Sequence, residues 1–306
     1  AAGQGFGSLS ERQKIVSTMK LPFYPCFLIR TGLVFKVPTA FTPSLISGNT
    51  RKLGFQGLQR AHMSFYNSID AAEDQSLLAD VKIDPYLGTK LGTYRETYCA
   101  RYSNIEKGDV LRWIEEETMK LQKTSMLSGS LSASTLQSLI RLRGAKNVLE
   151  IGTYTGFTAI AMGAVAPRVV TVDNFKAEPA SENVCREAIK MAEVNVSIMK
   201  MDAKEALNTL ITDVKEPFDF VFIDGDKKEQ IDYYELFLNN TNLFDPKGVI
   251  AVDNTLWYSR VFHGDEKIGD EDTVAVRKFN EHVRSDPRTF VSILPVRDGI
   301  TLIQRV

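Results

Sequence analysis

A doubly wound α/β domain is the fold class this sequence predicts: a mostly parallel sheet of seven strands, with an antiparallel hairpin at its C-terminal edge. Three observations predict it. From Asn147 onward, short runs rich in Val and Ile alternate with helical patterns. The first run ends in a turn bracketed by Gly152 and Gly156, and the last two runs are separated by Pro295-Val296-Arg297-Asp298-Gly299. Strand–helix alternation means right-handed crossovers and a parallel sheet covered on both faces. Turn residues between two final runs mean a hairpin.

Before the sheet, apolar residues recur at Val110, Leu111, Ile114 and Leu121 within Lys107–Lys123, the pattern of an amphipathic helix. A second helix is announced by Ser132 or Ser134 as cap, runs through Leu136, Leu139, Ile140 and Leu142, and stops at Gly144. The predicted strands are Val148–Ile151, Val169–Val172, Val196–Met199, Phe218–Ile223 and Val249–Val252. Helices are expected between them at Thr158–Val165, Glu182–Glu193, Ala203–Ile211 and Ile231–Phe244. A last helix at about Val274–Arg284 precedes the hairpin strands Phe290–Leu294 and Ile300–Ile303.

With 306 residues, 43% hydrophobic and 25% charged, the chain can bury a full core. Its formal net charge of −1 gives no pull toward nucleic acid or anionic lipid. Cys26, Cys99 and Cys185 are scattered and odd in number, which fits neither a disulfide framework nor a zinc knuckle and points to a reducing compartment. Residues 1–62 differ from the rest: Glu11 is the one acid among many Lys, Arg, Ser, Thr, Pro and Gly residues. Such a segment reads as an organellar transit peptide, as a disordered basic leader, or as sequence ahead of a start at Met63. The location is accordingly cytoplasmic, or mitochondrial or plastid if the leader is a transit peptide. The apolar stretch Phe27–Phe35 is broken by Arg30 and is too short to span a bilayer. The remaining residues, 63–306, form one domain: a helical part to residue 145 and an α/β core over 146–306.

In open parallel sheets ligands bind beyond the carboxyl ends of the strands, so the polar residue ending each run matters most. Gly152 and Gly156 let the backbone turn sharply and a ligand come close, with a helix N-terminus following. Their G-x-x-x-G spacing is not the G-x-G-x-x-G of dinucleotide enzymes, which disfavours a pyrophosphate ligand. Asp173 ends the second strand, where an acid can accept hydrogen bonds from ribose hydroxyls. Asp224 and Asp253-Asn254 end the fourth and fifth strands, whose ends lie about 5 Å apart if neighbours. Three oxygen ligands with open positions suit a hard cation, Mg²⁺ first and Mn²⁺ or Ca²⁺ as alternatives, while the lack of Cys and His argues against zinc. The plainer reading is that these acids cap helices or pair with Lys227 and Lys228.

Three segments carry a resemblance: Phe-Asp-Phe-Val-Phe-Ile-Asp-Gly-Asp-Lys (218–227), Asp-Asn-Thr-Leu-Trp (253–257) and Leu-Pro-Val-Arg-Asp-Gly-Ile-Thr-Leu (294–302). With Val148–Thr158, they resemble the metal-dependent class I O-methyltransferases of the caffeoyl-coenzyme A and catechol type, over about Tyr94 to the C-terminus. The resemblance implies a Rossmann-like methyltransferase sheet, S-adenosyl-L-methionine as donor, a divalent cation, a small aromatic acceptor with vicinal hydroxyls, and a homodimer. It implies that Glu150, Gly152, Thr153, Tyr154 and Thr158 form the cofactor loop. Asp173 is then the ribose acid, Asp202-Ala203 the adenine contact, and Ser128, Asp224 and Asp226 further cofactor contacts. Asp224, Asp253 and Asn254 become the metal ligands and Lys227 the general base, a role a lysine fills where burial and a nearby cation hold it neutral. Met126, Trp257 and Tyr258 face the acceptor. Plant members carry Asn where this chain has Tyr258, a departure that argues against an acyl-coenzyme A acceptor. The segment His263–Asp270 is a charged loop that shapes the acceptor pocket or is simply solvated. The alternatives are a methyltransferase of the same fold acting on RNA or protein, a non-catalytic binding relative, and a nicotinamide oxidoreductase.

Overall fold

The computed structural model describes residues 94–262 and 270–306. The leader 1–62, the start at Met63, the stretch 63–93 and the loop residues 263–269 lie outside the described residues. Helices α1 (Tyr94–Arg101), α2 (Gly108–Thr118) and α3 (Gly129–Arg143) precede the sheet. Then come β1 (Asn147–Ile151), α4 (Phe157–Gly163), β2 (Arg168–Val172), α5 (Ser181–Ala192), β3 (Val196–Met199), α6 (Ala203–Asp213) and β4 (Phe218–Ile223). The chain closes with α7 (Gln230–Asn239), β5 (Phe244–Val252), α8 (Glu271–Ser285), β6 (Thr289–Leu294) and β7 (Ile300–Arg305).

The strands form one seven-stranded sheet in the order β3-β2-β1-β4-β5-β7-β6. The first five pair in parallel, while β7 runs antiparallel to both β5 and β6. The expected fold class is thus the observed one, hairpin included. Strand alternation divides the core. Leu149, Ile151, Val221 and Ile223 point to one face and pack with Tyr234, Phe237 and Phe279 of α7 and α8. Val148, Val169, Phe220 and Phe222 point to the other and meet Leu136 and Ile140 of α3 and Met162 of α4. Because both faces are covered, β1 is buried along its whole length, which is why it reads as a continuous apolar run.

Three boundaries differ most from the sequence reading, each for a local reason. Helix α3 begins at Gly129, so Ser132 and Ser134 are buried inside it and cap nothing; Ser134 Oγ donates to Asn104 O at 2.8 Å. Small side chains that mimic a loop in sequence here let α3 pack closely on its neighbours. Helix α2 stops at Thr118, short of Lys123. Helix α7 ends at Asn239 instead of reaching Phe244, and the Asn240 side chain donates back to Leu236 O at 2.8 Å. Phe244 instead opens β5, opposite Phe218. The C-terminus of α3 is as expected: Gly144 sits at φ 66°, and the N–H groups of Gly144 and Ala145 donate to Arg141 O and Ile140 O. No helix of the described residues is long and apolar enough to cross a membrane.

Candidate active site

The central strands each pass a final ladder bond to the residue beyond them. Gly152 N donates to Val172 O at 2.9 Å, Asp173 N to Met199 O at 3.2 Å, Asp224 N to Ile151 O at 2.8 Å and Asp253 N to Ile223 O at 2.9 Å. The sheet therefore sets these four residues side by side at its carboxyl edge, about 4.8 Å per strand. Strand order reverses between β1 and β4, where an open parallel sheet leaves a crevice. A cleft of about 850 Å³ opens there, within the size range of small-molecule and cofactor sites.

Every described residue given a site role from the sequence lines this cleft except Glu150 and Gly156. At the β1–β2 end of the cleft, the Asp173 carboxylate is gripped by backbone: Oδ2 accepts from Thr153 N and Tyr154 N at 2.9 Å each, and Oδ1 from Phe175 N at 2.7 Å. Gly152 sits at φ 94°, and a Cβ there would lie 2.3 Å from Asp224 O, so the ends of β1 and β4 can touch only through a glycine. Gly156 has a different role from the one its spacing suggests. A Cβ there would meet Cys185 Sγ at 2.6 Å, so this glycine seats α4 on α5, not a ligand. Tyr154 is held at φ 50° and its hydroxyl donates to Lys123 O at 3.0 Å. Thr158 is buried in the first turn of α4. Asp202 caps α6 by accepting from Lys204 N, with Ala203 beside it, and Asp226 accepts from Lys228 N, both at 3.0 Å. These two acids therefore do the plain work of caps and also border the cleft. Ser128 Oγ lies 3.5 Å from Asp224 Oδ2, and Met126 is exposed at the rim.

Glu150 lies beneath the floor, on the core face that α4 covers. Its Oε2 accepts from Thr171 Oγ1 at 2.5 Å. Burial pushes this carboxyl up to about 8, aided by the Asp224 and Asp173 charges and opposed by the hydroxyls of Thr158 and Thr171. A carboxyl raised on folding holds a proton that the unfolded chain releases. Its contribution to stability is full below the ordinary value of 4.5 and is lost as pH rises through about 8. We predict that Glu150→Gln flattens the decline of unfolding free energy across that window, read by urea denaturation at a series of pH values. An unchanged slope would contradict the buried, protonated acid.

At the β4–β5 end of the cleft, Lys227 is only 9% exposed, and its Nζ donates to Asp224 Oδ1 at 3.1 Å. The same Nζ stands 5.8 Å from the Trp257 ring centroid. Asp253 is 4% exposed and its carboxyl is held well above the usual carboxylate range, first by burial and then by Asp224, with Lys227 pulling the other way. Two acids close enough to repel, with one lysine acting on both, make a donor set that gains from a further cation. Asn254 follows Asp253 at φ 60°, and Trp257, Tyr258 and Ser259 also take left-handed backbone. Each such non-glycine residue costs about 1–2 kcal/mol, so the segment needs outside support. The hairpin turn supplies it: Thr255 N donates to Gly299 O, Leu256 N to Asp298 O and Tyr258 N to Asp298 Oδ1, bonds worth about 1 kcal/mol each. Trp257 and Tyr258 meet edge to face, centroids 5.2 Å apart, with the Arg260 guanidinium over the Tyr258 ring.

Arg297 and Asp298 also line the cleft, and the sequence reading had placed them in a turn without a task. Their signal was present in the third resembling segment, read there as hairpin punctuation. Asp298 is half-buried, and burial raises its carboxyl to about 6, with Tyr258 N and Lys227 opposing. A second group that could hold a cation, Glu235, His282 and Asp286, lies elsewhere. Arg288 Nη2 already occupies it, 2.9 Å from Glu235 Oε1 and 2.6 Å from Asp286 Oδ2, so that cluster is an ion-pair network.

A Rossmann-like sheet ending in an antiparallel pair, a glycine turn after β1 and an acid closing β2 define the class of S-adenosylmethionine-dependent methyltransferases. Comparison with known proteins narrows the class. Residues 101–306 match the family model described as O-methyltransferase, and the chain belongs to this family. It is 32% identical over 199 residues to a caffeoyl-CoA O-methyltransferase of Stellaria longipes, covering 63% of this chain and 80% of that one. It is 33% identical over 182 residues to a flavonoid 3',5'-methyltransferase of Vitis vinifera, covering 56% of this chain and 75% of that one. Among solved structures, an O-methyltransferase from Bacillus cereus in complex with SAH superposes with a TM-score of 0.61 at 26% identity, over 70% of this chain and 98% of that one. The protein is thus an S-adenosylmethionine-dependent O-methyltransferase of the caffeoyl-CoA type.

Proposed function

We propose that this enzyme methylates one hydroxyl of a small aromatic vicinal diol, with a divalent cation, Mg²⁺ first, held by Asp224, Asp253 and Asn254. The observation that carries the reading is the meeting of Asp224 and Asp253 at adjoining strand ends, with Lys227 Nζ 3.1 Å from Asp224 Oδ1. Two carboxylates and an amide oxygen form a hard donor set that leaves coordination positions for oxygens of water or substrate. Bound there, such a cation would supply Lewis-acid polarisation and lower the pKa of a hydroxyl held beside it. Lys227 takes the proton from the hydroxyl that will be methylated, at Nζ, within reach of Asp224. Trp257 and Tyr258 press on the aromatic face and keep water from it. Asp173, Thr153 and Tyr154 hold the donor's ribose side, and Ser128 with Met126 covers the space between donor and acceptor. The hydroxyl oxygen then displaces the sulfonium methyl in line, forming the new O–CH₃ bond as the S–CH₃ bond breaks and leaving S-adenosylhomocysteine. Positioning of the two reactants supplies several kcal/mol of the barrier.

The relatives named for caffeoyl-CoA and flavonoid acceptors support an aromatic hydroxyl as nucleophile. We further propose that the domain spans residues 63–306 and that the enzyme works as a homodimer. The test is methyl transfer to a panel of catechols, caffeoyl esters and flavonoids, each with Mg²⁺ and with chelator. Vicinal diols are expected to react and their monohydroxy analogues to fail, with activity lost in chelator and restored by added Mg²⁺. Turnover indifferent to the chelator contradicts the metal-assisted reading.

A further inference from the structure

The hairpin between β6 and β7 reaches across the sheet edge to the segment that follows β5. Asp298 meets that segment with both its backbone and its side chain. Its carbonyl accepts from Leu256 N at 2.8 Å and its Oδ1 from Tyr258 N at 2.5 Å. Gly299, at φ 90°, could carry no side chain here, since a Cβ would lie 2.5 Å from Leu256 Cγ and 3.0 Å from Leu256 N. The second carboxylate oxygen, Oδ2, is buried and receives no well-formed hydrogen bond. The bonds from Thr255 N to Gly299 O and from Leu256 N to Asp298 O bring the chain at Asn254 alongside Asp298, and the Asn254 side chain, as a donor, pulls this carboxyl down against the effect of burial.

We infer that Asp298 is a positioning residue: one carboxyl group holds the Asn254 amide by its nitrogen, leaving its oxygen for the cation, and fixes Tyr258 in the acceptor wall by its backbone N–H. The inference rests on the metal-assisted reading above. An asparagine side chain has a donor end and an acceptor end that differ little in shape. Only a neighbour that accepts can dictate which end faces the cation, and a carboxylate with a spare buried oxygen is such a neighbour. Outer partners of metal ligands act in this way generally, orienting the ligand without touching the ion. Neither Asp224 nor Asp253 needs this help, because both oxygens of a carboxylate can ligate. Asn254 does, and the backbone around it is left-handed at φ 60°, a conformation that no local hydrogen-bonded repeat maintains.

The test compares the native 306-residue chain with Asp298→Asn and Asp298→Ala. Each is titrated with MnCl₂, followed by the electron paramagnetic resonance signal of free Mn²⁺, and separately with S-adenosylmethionine by calorimetry. Asp298→Asn keeps an oxygen for Tyr258 N–H but turns an NH₂ toward the Asn254 amide, donor against donor. It is expected to weaken Mn²⁺ binding by about 10–100-fold, with donor affinity within twofold of native and the thermal midpoint preserved. Asp298→Ala is expected to lose as much Mn²⁺ affinity and also to lower the midpoint, since Tyr258 N–H loses its partner. If the alanine variant does not fold, the asparagine variant decides alone. Mn²⁺ affinity within twofold of native in Asp298→Asn overturns the positioning role while leaving the metal reading intact. A native chain that binds no Mn²⁺ overturns both.

Discussion

Asp253→Ala is expected to lower methyl transfer by about a thousandfold or more, because removing a ligand forfeits Lewis-acid stabilisation worth several kcal/mol. Affinity for S-adenosylmethionine should stay within a few-fold, since Asp253 ends β5, two strands away from the loop after β1 and three from Asp173, the proposed donor contacts. The measurements are turnover on a catechol at saturating Mg²⁺ and calorimetric titration with the donor. The competing explanation makes Asp253 a structural acid whose Oδ1 accepts from Asn254 N at 2.7 Å. On that account the thermal midpoint falls and the activity of the folded fraction survives. A buried acid with a like charge beside it is a stability burden, not an asset. Alanine should therefore leave the apo protein as stable as native, or more so. Retention of a tenth or more of native turnover would count against the ligand role.

Lys227→Ala is the second large effect. Loss of a general base costs about 10²–10⁴ in rate, so turnover should fall by that factor while donor affinity changes little. Equal losses in turnover and donor affinity would contradict the assignment, because they would mark Lys227 as part of the binding floor. Charge alone is a rival explanation, for Lys227 pairs with Asp224 and stands over the Trp257 ring. Lys227→Arg separates the two. Arginine keeps the positive charge and the stacking but cannot surrender its proton in this range. Arginine is expected to restore the fold and the Asp224 pair without restoring turnover.

How much of this was legible in the sequence depended on how local the signal was. The parallel core was plain because strands buried on both faces read as unbroken apolar runs, as in Val148–Ile151 and Phe218–Ile223. The acids at strand ends were equally legible, since strand length and ladder geometry place the next residue at the carboxyl edge. Where two patterns overlapped, the reading slipped. The helix after β4 was carried to Phe244 because apolar spacing alone does not distinguish a helix end from the start of a buried strand. Serines at 132 and 134 looked like caps because the small residues of α3 carry no apolar period. Gly156 was read as ligand-facing, though its neighbour is Cys185, a contact between two helices distant in sequence. Asp298 was passed over for the same reason: its partners, Leu256 and Tyr258, lie some forty residues earlier, and nothing local announces that a turn braces a distant loop.

The central claim is that Asp224, Asp253 and Asn254 hold one divalent ion beside the donor. Crystals of the enzyme grown with S-adenosylhomocysteine and soaked in MnCl₂ test it most directly through an anomalous difference map. The account predicts one strong peak per chain in contact with oxygens of all three side chains, at about 2.0–2.3 Å, the range of small hard cations on oxygen ligands. A peak at Glu235, His282 and Asp286 with none at the strand ends, or no peak while the donor product is bound, would contradict it.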